Sequence, residues 1–191
     1  MKEHLVNQLD NFIMGWYTDP ILSDKLIKYY YDKKDFVVDK STTYQGYKCV
    51  DTLFQDKDNL PLCNQYLDML YSCTDKYRER YEWCDKNQSL WGIHEFMNIQ
   101  MYDPGFSYNA WHAEMVGPPN LSSKRNLVFM TYLNNVENGG ETEFLYQKLK
   151  IKPEKGLTLI WPVYWMHTHK GHPTNQKKFI ATGWFEYKNN E

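Results

Sequence analysis

No cysteine pair, no long apolar run and no excess of either charge marks this 191-residue sequence, and each absence excludes something. No apolar stretch approaches the ~18 residues that cross a bilayer. The opening Met-Lys-Glu-His-Leu-Val-Asn-Gln lacks the apolar segment of a secretory signal. A cytoplasmic protein with no membrane partner is expected. Lys+Arg 22 stand against Asp+Glu 24, a net charge of −2, so no basic surplus draws in nucleic acid. That disfavours a nucleic-acid partner without excluding a flipped base. Cys49, Cys63, Cys73 and Cys84 contain no CxxC pair. Reduced, buried thiols are expected, with a Cys63–Cys73 disulfide as the alternative. The chain holds no internal repeat and no low-complexity segment.

What is abundant is aromatic: 16 Tyr, 9 Phe and 7 Trp. The length suits one domain over 1–191, and the patterning divides it in two. Up to about residue 96 the periodicity reads as helical. In 21–31, Leu22, Leu26, Ile27 and Tyr30 share a face and Ser23 is the expected cap. In 62–83, Leu62, Tyr66, Leu67, Leu70, Cys73, Tyr77 and Tyr81 recur at three- and four-residue steps after the start signal Asn59-Leu-Pro61. Residues 35–58, polar and carrying Gly46, read as short strands or a loop. From residue 97 the signals become those of strands: 97–102, the nearly continuous apolar 127–133, then 142–144, 148–151, 157–161 and 179–185. Asp103-Pro-Gly105 and Pro153-Glu-Lys-Gly156 read as turns, and Asn138-Gly-Gly140 as a tight hairpin. The expected fold is α+β and mainly β: a jelly-roll core over 97–188, with 1–96 as helical support and a lid loop within 36–58.

One constellation carries chemistry. His112-Ala-Glu114 is followed 57 residues later by His169, and Lys178 comes nine residues after that. Two imidazoles and a carboxylate suit one face of an Fe(II) octahedron and leave the other face open. On a strand, residues 112 and 114 would point to the same side. Lys178 is where such a site needs a cation for the far carboxylate of 2-oxoglutarate. The same three ligands would also serve a zinc hydrolase or a cupin-type binding protein. His167, His169 and His172 crowd the second ligand position, and the pattern alone leaves His167 and His169 both open.

From about 102 to 187 the sequence resembles the catalytic domain of the prolyl 4-hydroxylase-like Fe(II)/2-oxoglutarate dioxygenases. Tyr102-Asp-Pro-Gly105 with Tyr108 and His112 resembles the lead-in to the first ligand. Thr131-Tyr-Leu-Asn134, Gly139-Gly-Glu-Thr142 with Phe144, and Lys155-Gly156 resemble the central strands. His169-Lys-Gly-His-Pro173 resembles the His-x-Gly-x-Pro segment, and Lys178 with Trp184 resembles the closing strand. The resemblance selects His169 over His167 and implies a double-stranded β-helix, or jelly roll, with helices supporting the major sheet. It implies Fe(II) on His112, Glu114 and His169, 2-oxoglutarate anchored by Lys178 with contacts from Tyr102, Thr131 and Thr182, and ascorbate as reductant. Trp184 and Tyr132 fit equally as core aromatics. Two departures stand out. Glu114 replaces the family's usual Asp and would shift the iron or bind it bidentately. The spacing from Tyr108 to His112 is also one residue longer than the family's, and Trp111 sits beside the ligand.

The implied activity is dioxygenation with O2, favouring a prolyl residue in a peptide or protein. The alternatives are a free amino acid, another side chain or a nucleobase as substrate, or a non-catalytic metal-binding jelly roll. The loop 40–46 and Gly117-Pro-Pro119 are candidates for a lid or peptide groove, with ordinary surface loops as the competing reading, and Trp165 fits either that groove or the core.

Overall fold

The computed structural model describes residues 10–40, 46–86, 90–93, 97–115 and 121–188. The opening octapeptide, most of the loop 40–46 and Gly117-Pro-Pro119 lie outside them.

Two α-helices occur among the described residues. In α1 (Pro20–Asp32) the Asp19 side chain accepts from the Ile21 N–H. Pro20 fills the first turn, where its missing N–H leaves no bond unmade. Asp19 is therefore the cap in place of the expected Ser23, which is buried inside the helix. In α2 (Leu60–Arg80) the buried residues are Cys63, Tyr66, Leu70, Cys73, Thr74 and Tyr77, one stripe of a 3.6-residue period. The helix stops at Arg80, short of the expected 83, because the chain tightens into a 3-10 turn over Glu82–Cys84. All four cysteines are free thiols. Cys63 and Cys73 share α2 at a separation of about 15 Å of helix rise, too far for a bridge. No helix among the described residues is long and apolar enough to cross a membrane.

The first half is less helical than its periodicity suggests. It supplies β1 (Met14–Tyr17), β2 (Val38–Asp39), β3 (Lys48–Val50) and β4 (Trp91–Ile93), each too short for alternation to register. Then come β5 (Asn98–Tyr102), β6 (Arg125–Tyr132), β7 (Thr142–Phe144), β8 (Leu149–Ile151), β9 (Leu157–Pro162), β10 (His169–Gly171) and β11 (Lys178–Tyr187). The major sheet runs β1-β9-β6-β11-β5-β3-β2, with β4 on the far end of β11, and the minor sheet runs β10-β7-β8. Every pairing is antiparallel. Asn138-Gly-Gly140 is not a hairpin. It lies in the crossover from β6 to β7, strands of different sheets, and both glycines have φ 75°. The hairpin is β7–β8, closed at 145–148 with Lys148 at φ 52°.

Alternation along the central strands builds two cores. Leu127 and Phe129 of β6 and Phe179, Ala181 and Phe185 of β11 face the helices, where Leu26, Tyr66, Leu70 and Tyr77 cover them. Val128, Met130 and Tyr132 point the other way, into the roll, with Phe144, Leu159 and Trp161. The result is a jelly roll with helices outside its larger sheet. Gly183 of β11 is directly opposite Phe129, and a Cβ there would lie 2.5 Å from that buried ring. Gly183→Ala is expected to destabilise the fold by about 1–3 kcal/mol through overpacking, read as a lower denaturation midpoint in urea. An unchanged midpoint would show that the Phe129 ring does not fill that space.

Candidate metal and cosubstrate site

The minor sheet brings the two histidines together. β10 pairs with β7 on one edge. On its other edge the irregular segment 107–115 runs alongside. Gly171 N–H donates to the Tyr108 carbonyl at 2.7 Å. His112 and His169 exchange backbone bonds of 3.0 and 2.9 Å. Such a pair sets the two side chains on the same face, and the rings lie 4.3 Å apart. Residues 112–114 do not form the expected strand. Beyond the bridge the chain bends, and the Glu114 and Met115 N–H groups both reach the Val163 carbonyl. Glu114 still converges on the histidines, with Oε1 3.4 Å from His112 Nε2 and 3.5 Å from His169 Nε2. The donor atoms of all three lie within 4.8 Å of one another.

Surrounding groups set the chemistry of these donors. His112 Nδ1 is 2.9 Å from the Ala110 carbonyl, and His169 Nδ1 is 2.9 Å from the His167 carbonyl. A carbonyl only accepts, so each Nδ1 carries the proton and each Nε2 presents a lone pair toward the shared space. Burial opposes the charge of Glu114, but the N–H hydrogen bonds and charge that His112 and His169 supply when protonated outweigh it and hold the carboxyl well below its ordinary range; on the neutral rings the same Nε2 atoms turn lone pairs to the shared space. The second carboxylate oxygen has a separate task. Glu114 Oε2 accepts from Trp184 Nε1 at 3.0 Å, and the Arg125 guanidinium, 3.5 Å from the Trp184 ring centre, lies 3.6 Å from the same oxygen. Oε1 alone thus faces the imidazoles, the arrangement of a monodentate ligand. Trp184 is therefore not merely a core aromatic. Tyr108 stacks on the His112 ring at 4.0 Å.

His167 points elsewhere. Its Nε2 donates to the Asn11 carbonyl at 2.9 Å. Burial lowers its pKa, partly offset by that bond, so the ring stays neutral. His172, after β10, bonds Glu143 at 2.6 Å.

The donors open into a cavity of about 260 Å³. Four residues of β11 in alternation line it: Lys178, Ile180, Thr182 and Trp184. Lys178 is buried, and its Nζ donates to the Gly140 carbonyl at 2.7 Å. Burial pushes its pKa down to about 8, against a smaller opposing pull from Glu141. Tyr102, directly opposite Lys178 on β5, lines the cavity with its hydroxyl on Gln100 at 2.7 Å. Thr182 also lines it, its hydroxyl bound to the Phe129 carbonyl. Thr131 does not. It lies on the helix side of β6, bonded to Tyr66 Oη at 3.0 Å and Thr158 Oγ1 at 2.8 Å. Its neighbour Met130 lines the cavity instead, with Thr142 of β7 supplying a hydroxyl. Tyr132 is fully buried core, its hydroxyl on Thr142 at 2.6 Å. Sequence reasoning missed Arg125, Thr142, Gln100 and Trp161. Once β5 and β6 are recognised, alternation from Tyr102 finds Gln100. Two buried cavity atoms, Ser107 Oγ and Trp161 Nε1, have no hydrogen-bond partner in the described protein, which suits a space built to be filled by a polar guest.

A jelly roll holding two imidazoles and a carboxylate around one open point has the architecture of mononuclear non-heme iron enzymes. Residues 97–186 match the model of the 2OG-Fe(II) oxygenase superfamily. A probable prolyl 4-hydroxylase 9 of Arabidopsis thaliana is 29% identical over 123 residues, which is 51% of this chain but only 42% of that relative. Among solved structures, a Pseudomonas putida prolyl-4-hydroxylase superposes with a TM-score of 0.71 at 16% identity, covering 93% of this chain and 94% of the other. A Trichoplax adhaerens prolyl hydroxylase, solved with a peptide fragment of the hypoxia inducible factor oxygen degradation domain, gives 0.68 at 17% identity, over 93% and 84%.

The assignment of donors has a direct check in titration with Mn(II), followed by fluorescence. His169→Ala is expected to abolish tight binding. Trp184→Phe, which frees Glu114 Oε2, should weaken it by roughly ten-fold or more, while His167→Ala stays near the parent protein. Loss of metal in His167→Ala with retention in His169→Ala would move the ligand.

Proposed function

We propose that this protein is an Fe(II)- and 2-oxoglutarate-dependent dioxygenase that hydroxylates prolyl residues in a peptide or protein. The observation that carries the reading is the pairing of the three-donor cluster, both Nε2 lone pairs free, with the buried ammonium of Lys178 in one cavity. A zinc hydrolase or a simple metal-binding jelly roll would use the same donors but has no need of that lysine. The choice of a prolyl substrate rests on the prolyl hydroxylases that the chain resembles, and the domain is read as one unit over 1–191 with 97–188 as its catalytic core.

His112, Glu114 and His169 fit Fe(II): two neutral imidazoles, one carboxylate and no thiolate. Bound there, the metal would supply activation of O2, with 2-oxoglutarate as the two-electron donor that leaves as succinate and CO2. The chain's own part is positioning. The Ala110 and His167 carbonyls hold the imidazole tautomers, Trp184 and Arg125 orient the carboxylate, and Lys178 would receive the far carboxylate of the keto acid. Tyr102 and Thr182 line the space between.

Lys178 gives the reading a pH signature. Its charged form is the one that binds a carboxylate, and its pKa is depressed to about 8 by burial. Affinity for 2-oxoglutarate is thus full below that value and falls as pH rises through it, so KM for 2-oxoglutarate should climb above about pH 8. Lys178→Ala should raise that KM by about 30-fold or more and flatten the dependence; an unchanged KM would remove the role. The reading as a whole is tested by succinate formation with Fe(II) and ascorbate, with and without proline-containing peptides read by mass spectrometry. Peptide-stimulated succinate with a gain of about 16 Da, one oxygen atom, is the expected result. Succinate without modified peptide would redirect the search to other substrates, and no succinate with metal bound would leave a binding protein.

A further inference from the structure

Beyond the cavity, two large aromatics stand in solvent on the segments that adjoin Phe144 and His169. Tyr146 is 58% exposed and Trp165 is 66% exposed, which excludes the core-packing role for Trp165. Their ring centres are 5.8 Å apart and the planes perpendicular. The segments that carry them are braced. Leu145 N–H donates to the Thr168 carbonyl at 2.9 Å, and Gln147 Nε2 donates to the Met166 carbonyl at 3.0 Å. The Thr168 hydroxyl closes the Trp165–His167 turn on the Trp165 carbonyl at 2.6 Å. The backbone that carries the pair is thus held in place before anything binds, which lowers the ordering cost of docking on it.

Its place in the fold ties it to the site. Phe144, the last residue of β7, sits opposite His169 in the register, and their rings are 5.5 Å apart. The chain leaves the roll there on both strands: Tyr146 is two residues past Phe144, and Trp165 is four residues before His169. Leu145 and Met166, 40% and 41% exposed, extend the surface between them. We propose that Tyr146 and Trp165 form a docking subsite for the stretch of peptide that continues from the reacting residue, a proposal that rests on the peptidyl reading above. Two perpendicular rings make a notch for a pyrrolidine or other flat apolar group. A polyproline II segment presents such groups every third residue and arrives with little conformational freedom left to lose. Self-association fits less well. The two rings together offer on the order of 250 Å², against roughly 800 Å² per partner in a stable dimer.

The test compares the parent chain with Tyr146→Ala and Trp165→Ala, both exposed positions that leave the core intact. Two kinds of peptide are oxidised, one just spanning the modified proline and others lengthened by about six proline-rich residues, some 19 Å of polyproline II, on either side. A lengthened peptide should show KM raised roughly five-fold by each substitution, the scale of one lost aromatic contact. The short peptide's KM, the 2-oxoglutarate KM and kcat should stay put. Equal KM values for the long peptide in parent and variants would overturn the subsite while leaving the enzyme's function standing. So would variants that shift a dimer to a monomer by sedimentation with peptide KM unmoved. A parent chain that makes succinate but modifies no peptide would overturn both the peptidyl reading and the subsite.

Discussion

The reciprocal backbone bonds between His112 and His169 are the constraint on which the rest of the site depends. The two residues are far apart in the chain, and only the edge of β10 holds them opposite one another. An antiparallel pair of this kind fixes direction as well as distance, so both imidazoles must project from the same face. It also frees the chain to bend immediately afterwards. A continued strand would carry Glu114 along the edge of β10. Instead the Val163 carbonyl catches the N–H groups of Glu114 and Met115 and turns the carboxylate back toward the imidazoles. Irregular backbone is tolerated here because each of those N–H groups has found an acceptor.

The longer glutamate is accommodated by the same economy of groups. A carboxylate near two imidazoles and an arginine has several ways to turn. The Trp184 indole removes that choice by taking one oxygen, and Arg125, stacked on the indole face, stiffens the tryptophan in turn. An aspartate at 114, one methylene shorter, would hold its oxygens closer to the backbone and farther from the imidazoles and the indole. Glu114 and Trp184 therefore read as a matched pair, and the departure from the usual aspartate is compensated from β11, the strand that also carries Lys178 and Thr182.

Much of this was legible in the sequence, for identifiable reasons. Strand 127–133 announced itself as doubly buried because its two faces meet two cores, and helix 62–83 because its stripe is a plain 3.6-residue repeat. The three candidate donors were legible because imidazole and carboxylate side chains in that order and spacing form a recognisable metal set, and the fold brings them together. What failed was anything decided by parity or partnership. Thr131 was expected at the cosubstrate because it falls where the resembled family places a cosubstrate contact, but a buried hydroxyl needs only some partner, and Tyr66 of α2 and Thr158 of β9 supply it. Asn138-Gly-Gly140 has hairpin chemistry, yet glycines at positive φ serve a crossover between sheets equally well, and local sequence does not say which strand comes next to which. Strands β1 and β4 were invisible, and β2 and β3 were left between strand and loop within 35–58, because their order comes from the edges they join.

The burial of Lys178 then explains more than an anchor. An ammonium shut away from water among Tyr102 and Tyr132 rings, with the Gly140 carbonyl as its hydrogen-bond acceptor, sits in a folded state that disfavours its own charge. An incoming carboxylate relieves that penalty, whereas a neutral group of the same shape does not. The cavity thereby discriminates by charge at the end remote from the chemistry, and the discrimination is strong because the lysine is dry. An exposed lysine would bind anions weakly and indifferently, screened by solvent. The same strand face that presents Trp184 to the Glu114 carboxylate thus presents a desolvated cation to the far end of the cavity, and one ten-residue strand sets the electrostatics of both ends.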